Sequence, residues 1–247
     1  AGLAGGLLVP SDAVVYQPQA TLHLLREATA RGATVRERCR VRAVTSHGVT
    51  LENGDTISAD VVVNAAGAEA AALTPELPVV PRKGHLVITD RHPDLVSHQL
   101  VELGYLKSAH TMSAESVAFN LQPRATGQVL IGSSRELVGW DASINPGIVR
   151  RMLQRARDFM PALANASLLR TWTGFRPATT DKLPLIGAWE RVPGLWIATG
   201  HEGLGIASAL GTAQLLADLI ANRRPAIDAA AFAPSRVLAT VSAEVAA

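Results

Sequence analysis

Two stretches of this chain have the residue types and spacing to hold an anion or a ligand backbone. In Trp196-Ile197-Ala198-Thr199-Gly200-His201-Glu202-Gly203-Leu204-Gly205-Ile206, an apolar run leaves through three glycines into a long segment of small and apolar residues. A turn of that kind aims backbone N–H groups and the positive end of a helix dipole outward, which suits a phosphate or a developing oxyanion. The same pattern also fits a tight strand-to-helix turn packed for its own sake. Gly200, Gly203 and Gly205 do not have the spacing of the Gly-x-Gly-x-x-Gly dinucleotide fingerprint. In the second stretch, Asp60-Val61-Val62-Val63-Asn64 exits through Ala65-Ala66-Gly67-Ala68, small enough for close approach of another backbone or a ligand. The 7 histidines are scattered, with no metal-ligand spacing and no Ser-His-Asp order.

These stretches need elements to position them. Ala20, Leu24, Leu25 and Ala28 share one face of a helix predicted from Gln17 to Gly32, opposite Arg26, Glu27 and Arg31. Alternation predicts a strand over Val35–Val44, then a hairpin over Val49–Ile57 turning at Asn53-Gly54. Asp60–Asn64 lacks alternation, which suits a strand buried on both sides in a parallel layer. Leu86–Thr89, Val117–Leu121 and Gln128–Gly132 read as strands of a mostly antiparallel sheet. A helix from Asn145-Pro146 to about Met160 covers it with Ile148, Val149, Met152, Leu153, Ala156, Phe159 and Met160. Strands at Leu169–Thr173 and Leu195–Thr199, separated by a loop, precede a helix from about Gly205 to Ala221. The Ala-rich tail after Phe232 is expected to fray.

The chain has 247 residues, 48% of them hydrophobic, enough for one large domain or two interleaved small ones. With 23 Lys+Arg against 21 Asp+Glu the net charge is +2 and no basic run occurs, so nucleic acid is not an expected partner. One cysteine, Cys39, precludes an internal disulfide or multi-cysteine metal site and makes the cytoplasm the expected compartment. The most apolar windows are interrupted by Asn64, Glu69, His201, Glu202 and Asp218, so no membrane span is expected. The start, Ala1-Gly2-Leu3, has neither Met nor the pattern of a signal peptide, and reads as the middle of a longer chain.

Asp60–Ala68, Thr173–Gly187 (with Gly174-Phe175-Arg176-Pro177 and Pro184-Leu185-Ile186-Gly187) and Gly194–Gly205, in this order, resemble the later parts of the D-amino-acid oxidase family of flavoenzymes. The relatives in view are glycine oxidase and the flavin subunits of hydrogen cyanide synthase and D-hydroxyproline dehydrogenase. The likeness runs from about Gly5 to Phe232. It implies a mixed α/β (α+β) fold in which a partial, Rossmann-like FAD-binding domain is interleaved with an antiparallel substrate domain. The implied domains are 1–18 and 78–170 for substrate, 19–75 and 171–232 for FAD, and 233–247 as a tail. The family's opening strand, with its glycine fingerprint, should precede Ala1, so the chain is expected to lack the main pyrophosphate cradle.

The resemblance also implies roles. FAD would lie against Val41, Ala65, Ala66 and Gly67 at its adenosine end and against Gly200, His201, Glu202, Gly203, Leu204, Gly205 and Ile206 at its flavin end. Arg176 would grip the substrate carboxylate with two parallel hydrogen bonds beside the flavin. Tyr105, Asn120 and His201 would line the substrate, with Lys83 and His85 as further candidates from the sheet. No catalytic base or metal is implied, because the cofactor accepts the hydride and the protein supplies orientation and field. Asn120 stands where glycine-oxidase-like relatives have a substrate-facing Tyr, and the residues after Gly-His depart from theirs too. The implied activity is FAD-dependent oxidation of the C–N bond of a small amino acid or secondary amine, with electrons passed to partner subunits or a quinone. A glycine-oxidase-like enzyme using dioxygen and a non-catalytic partner subunit are the alternatives.

Overall fold

Asn145-Pro146 starts a helix for reasons local to those two residues. The Asn145 side-chain oxygen accepts hydrogen bonds from the N–H groups of Gly147 and Ile148, at 3.0 and 3.2 Å, and Pro146 occupies a first-turn position whose N–H would have no partner. In a computed structural model describing residues 5–105 and 113–237, this helix (α3 below) runs Pro146–Phe159. The helices before it are α1 (Gln17–Ala30) and the single turn α2 (Ala70–Leu73); α4 (Gly205–Ile220) follows. The chain divides into two compact units, one comprising the segment up to Thr21 with Arg82–Phe175, the other Leu22–Pro81 with Arg176 onward.

The first unit is built on a five-stranded sheet in the order β6 (Leu100–Val101), β7 (Glu115–Pro123), β8 (Gln128–Glu136), β5 (Val79–Arg91), β9 (Leu168–Thr179). The pairs β6/β7, β7/β8 and β5/β8 are antiparallel, as expected from the alternation. α3 packs on β7 and β8, and Met152 and Ala156 close over Val87, Phe119, Leu121, Val129 and Ile131. Phe119 and Phe159 stack with ring centroids 4.7 Å apart.

An irregularity in β8 changes what the sheet presents. Val87 pairs with Ile131 but Lys83 pairs with Glu136, so β8 spends five residues where β5 spends four. Such a bulge reverses the alternation of the longer strand. Val129 and Ile131 face α3 before it, and Ser134 and Glu136 face the same way after it, opposite Lys83 and His85. Arg135 therefore turns to the other face.

The polar end of the α3 face is a network of charged and polar groups. Lys83 lies 3.6 Å from Glu136, 3.3 Å from Asp141 and 3.2 Å from the Ser143 carbonyl. The Asn145 side-chain amide donates to Glu136 at 3.0 Å, and its backbone N–H donates to His85 Nε2 at 3.0 Å. His85 Nε2 is thus an acceptor and the ring proton sits on Nδ1, 3.0 Å from Ser134 Oγ. Burial holds the His85 pKa below its ordinary value; Lys83 adds to this, while Glu136 and Asp141 oppose it.

The second unit has two small sheets. One is the antiparallel meander β1 (Val41–Thr45), β2 (Gly48–Leu51), β3 (Thr56–Ser58), turning at Asn53-Gly54, where the Asn53 side chain accepts from the Asp55 N–H. The other runs in the order β10 (Leu185–Ala188), β11 (Leu195–Thr199), β4 (Val62–Asn64). Within it β10/β11 is antiparallel and β11/β4 parallel. Leu185, Leu195 and Ile197 pack with Ala70, Leu77 and Trp189 in one cluster, and Ile186 with Leu215 and Leu216 of α4 in another.

Several sequence expectations are corrected. Residues 35–40 are not strand: Arg38 adopts φ +57 and the chain turns before β1 begins at Val41. The segment taken as a loop contains β10, because Leu185 and Ile186 pair with Thr199 and Ala198. β4 is an outer strand paired to β11, and Val61 and Val63 are each 42% exposed, so it is not buried on both sides. α1 buries none of its residues. The described start of the tail is packed: Val237 is 6% exposed, and Arg236 forks onto Asp181 with its Nε at 2.7 Å. Finally, Glu202–Ile220 is long and apolar enough to cross a membrane by length and composition, although it includes Glu202 and Asp218.

Two expectations follow from the network. Asn145→Ala removes the α3 cap and a Glu136 partner together, and should lower unfolding free energy by about 1–2 kcal/mol in denaturant titrations. Because the folded-state pKa of His85 lies below its unfolded value near 6.5, protons bind preferentially to the unfolded chain as pH falls below that point. Stability should be full above about pH 6.5 and decline with acidification through the folded-state pKa. His85→Gln should flatten that decline in thermal melts between about pH 6.5 and 5; an unchanged slope would contradict the assignment.

Candidate functional site

The parallel pairing of β4 and β11 brings both small-residue exits to one end of a sheet. Val62, Val63 and Asn64 lie beside Leu195, Trp196 and Ile197. Ala65-Ala66-Gly67 and Gly200-His201 therefore emerge side by side at the carboxyl ends of two parallel strands, the position where open α/β sheets bind ligands. Thr199 Oγ1 donates to the Gly67 carbonyl at 2.8 Å and ties the exits together. Asn64, 3% exposed, fixes the first exit: its amide donates to the Ala70 carbonyl and Thr74 Oγ1, each at 2.9 Å, and its oxygen accepts from the Ala66 N–H at 3.2 Å.

The glycines have backbone reasons to be there. Gly200 has φ +85, and a Cβ on it would stand 2.7 Å from Thr179 Cγ2. Gly67 has φ +58 and nothing within 4 Å of where its Cβ would stand, while Ala65 and Ala66 are exposed. The result is a shelf of bare backbone at the strand ends. Val41 is in the separate meander, yet its neighbour Arg40 reaches Glu69, at 3.5 Å, in the turn Gly67–Glu69. The start of β1 thus adjoins the same shelf.

The turn into α4 is more specific than its glycines suggest. After Gly200, His201 leads into a single 3-10 turn, Glu202–Leu204, which precedes α4. Glu202 has φ +45, and its carboxylate accepts the Gly203 N–H at 2.6 Å, so one of the N–H groups expected to face a ligand is taken by the chain itself. His201 Nε2 lies 2.9 Å from Thr212 Oγ1 on α4, and burial lowers the ring's pKa. Its ring is anchored along the helix. Leu204 and Ile206 are 66% and 57% exposed, while Gly205 is half-buried.

The other candidates lie elsewhere. Tyr105 and Asn120 belong to the first unit. Phe119 and Leu121 face α3, so Asn120 points to the opposite face of the sheet, where it accepts from Gln99 Nε2 at 3.1 Å. Tyr105 lies beneath Arg135, whose guanidinium carbon is 4.9 Å from the ring centroid. Arg176 is half-buried on β9, the strand that follows β5 in the sheet order. Lys83 and His85, in contrast, sit in the α3-capping network on the other face and are not placed with Asn120. Sequence reasoning missed Asn64, which was legible as a polar end to an apolar run.

Gly67 and the two alanines leave peptide groups of the shelf uncovered by large side chains. An acidic Glu202 at the start of α4 leaves that end suited to N–H donation from the backbone rather than to a bare phosphate.

Comparison with known proteins shows the family and the fold. Residues 1–219 match the DAO family model, described as FAD dependent oxidoreductase, and the chain belongs to that family. It is 30% identical over 249 residues to glycine oxidase of Geobacillus kaustophilus, covering 98% of this chain and 63% of that protein. The crystal structure of that enzyme superposes with a TM-score of 0.74 at 29% identity, over 87% of this chain and 57% of that one. The chain is 33% identical to D-amino acid dehydrogenase of Xanthobacter autotrophicus over 94% of its own length and 54% of the other's. It is 32% identical to hydrogen cyanide synthase subunit HcnC of Pseudomonas aeruginosa, over 76% and 43% respectively. The chain thus spans about half the length of these relatives. The fold is mixed α/β with antiparallel sheets, like that of glycine oxidase.

Gly200→Ala should cost about 1–3 kcal/mol of stability, from its positive φ and the Thr179 contact together. Gly67→Ala has a strained φ but open space, so its cost should be the smaller of the two in parallel denaturation curves.

Proposed function

We propose that the protein oxidises the C–N bond of a small amino acid or secondary amine, with FAD as hydride acceptor. The observation that carries the reading is the pair of glycine-containing exits, joined by Thr199, at the carboxyl ends of parallel β4 and β11. FAD, when bound, supplies the ring that takes the hydride; the residues of the chain hold and orient. Ala65, Ala66, Gly67 and the adjoining Val41 would support the adenosine end. Gly200 to Ile206 would face the flavin end, where N–H groups at the start of α4 favour negative charge.

Arg176 would fix the substrate. A guanidinium gripping a carboxylate through two parallel hydrogen bonds holds the adjacent Cα–H in one orientation, so that binding energy becomes positioning. His201, in the same unit as Arg176, would line the substrate. The substrate amine enters neutral, loses the Cα hydride, and the resulting imine is hydrolysed in water. The relatives include both a glycine oxidase and a D-amino acid dehydrogenase. The Gly-His-Glu-Gly sequence favours the dehydrogenase form, with electrons passed to a partner subunit or quinone, in the cytoplasm.

Anaerobic addition of small amino acids and secondary amines to the FAD-loaded protein should bleach the flavin absorption band. Failure of every such amine to do so would refute the reading. Arg176→Gln should raise KM roughly ten- to a hundredfold for carboxylate-bearing substrates, corresponding to loss of about 1.5–3 kcal/mol from a hydrogen-bonded charge. Amines without a carboxylate should be much less affected.

A further inference from the structure

The segment that carries the chain from β8 to α3, residues 137–145, is a strap held at several separate points within the first unit. The Leu137 N–H donates to the Ala114 carbonyl at 3.0 Å. Trp140 meets the Phe175 ring of β9 edge-on, with centroids 5.1 Å apart, and Thr173 of the same strand donates to the Ala142 carbonyl at 2.9 Å. Lys83 of β5 donates to Asp141 and to the Ser143 carbonyl. The last anchor is the fully buried His85, whose Nε2 accepts the Asn145 N–H at 3.0 Å.

Only that last anchor depends on a side chain that titrates near neutrality. Hydrogen bonds from Ser143 hold the Asp141 carboxyl below its ordinary range, so the Lys83–Asp141 anchor persists where a histidine gains its proton. A neutral imidazole accepts at one ring nitrogen, whereas an imidazolium has two N–H donors and accepts nothing. A proton added at His85 Nε2 would therefore set two donors against each other, the ring and the Asn145 N–H. Asn145 is also the cap of α3, and the positive end of the helix opposes a cation at the same place.

The fold also offers the charged ring another partner. Glu136 Oε2 is buried and accepts no hydrogen bond among the described residues, and it lies 3.4 Å from His85 Nδ1 and 3.6 Å from Lys83 Nζ. Around the ring, β5 brings the Lys83 cation, β8 the Glu136 carboxylate and the Ser134 hydroxyl, and the strap the Asp141 carboxylate. The first turn of α3, residues 146–149, has no charged side chain. With His85 neutral this cluster carries one excess negative charge, and a single proton balances it.

We propose that His85 is a proton-operated latch on the start of α3. Neutral, it holds Asn145 and keeps the first helical turn closed; protonated from solvent, it bonds through Nδ1 to Glu136 Oε2 and releases Asn145. The Lys83 anchors stay in place, so the opening is confined to Asn145 and residues 146–149. The latch lies wholly within the first unit and does not depend on the chemistry proposed above.

Hydrogen exchange of the whole chain, read by mass spectrometry and corrected for the intrinsic pH dependence of exchange, tests this between about pH 7.5 and 5. Protection of residues 145–149 should fall about tenfold or more, while residues 129–131 of the β8 core keep theirs. The midpoint of that fall should match the titration of the His85 ring followed by NMR. His85→Gln supplies an amide oxygen for the Asn145 N–H and does not titrate, so it should abolish the fall. Glu136→Gln removes the carboxylate that favours the charged ring and should move the midpoint to lower pH. If His85→Gln does not fold, the coincidence of the two wild-type midpoints and the shift in Glu136→Gln decide. A fall that persists in His85→Gln, protection that ignores the ring's titration, or loss of protection throughout the first unit at the same midpoint would overturn the inference.

Discussion

A single register joins the parts of the chain that a ligand would meet. β4 and β11 are far apart in sequence and lie parallel, with Leu195 beside Val62 and Ile197 beside Asn64. A shift of one residue would turn every side chain of β4 to the opposite face and separate the two exits. The Thr199 hydroxyl on the Gly67 carbonyl ties the two exits across the pair, and the Asn64 amide on Ala70 and Thr74 fixes the course of the first exit. Buried in this way, the Thr199 hydroxyl favours one alignment, because a shifted one separates it from the Gly67 carbonyl.

The first unit depends on a comparable device of opposite kind. An extra residue in β8 lets Ser134 and Glu136 share a face with Ile131 and sends Arg135 to the other. One face then carries a network of charged and polar groups around His85, and the other carries Arg82 and Arg135. Lys83 and Glu136 are nearly inaccessible, and a buried ion pair is costly unless its remaining donors and acceptors are met. Asp141 and the Ser143 carbonyl accept from Lys83, Asn145 donates to one oxygen of Glu136, and the same asparagine starts α3. Helix placement and charge burial are therefore one arrangement.

Local signals in the sequence were read well where one residue type has one strong preference. Asn145-Pro146 marked a helix start, Asn53-Gly54 marked a hairpin, and alternation from Val117 and from Gln128 marked antiparallel strands. Signals failed where pairing partners decide. Val35 to Arg40 alternates like a strand, but Arg38 takes a left-handed conformation and no strand forms there. Pro184-Leu185-Ile186-Gly187 looked like a loop, yet Leu185 and Ile186 become β10 by pairing with β11. The apolar run at Val61 to Val63 suggested two covered faces, although only one neighbour strand pairs it among the described residues.

The same division holds for the candidate site. By itself the sequence determined the small-residue exits, the glycine turn before α4 and the family, because these are contiguous motifs whose chemistry follows from residue type and spacing. Only the tertiary structure decided that the two exits lie together, that His201 is anchored to Thr212, and that Glu202 occupies a turn N–H. It alone separated Lys83 and His85 from Asn120, and set Arg135 over Tyr105. The physical reason is that facing in a sheet depends on register and bulges, which are set by contacts between segments distant along the chain and leave no local trace in composition or periodicity.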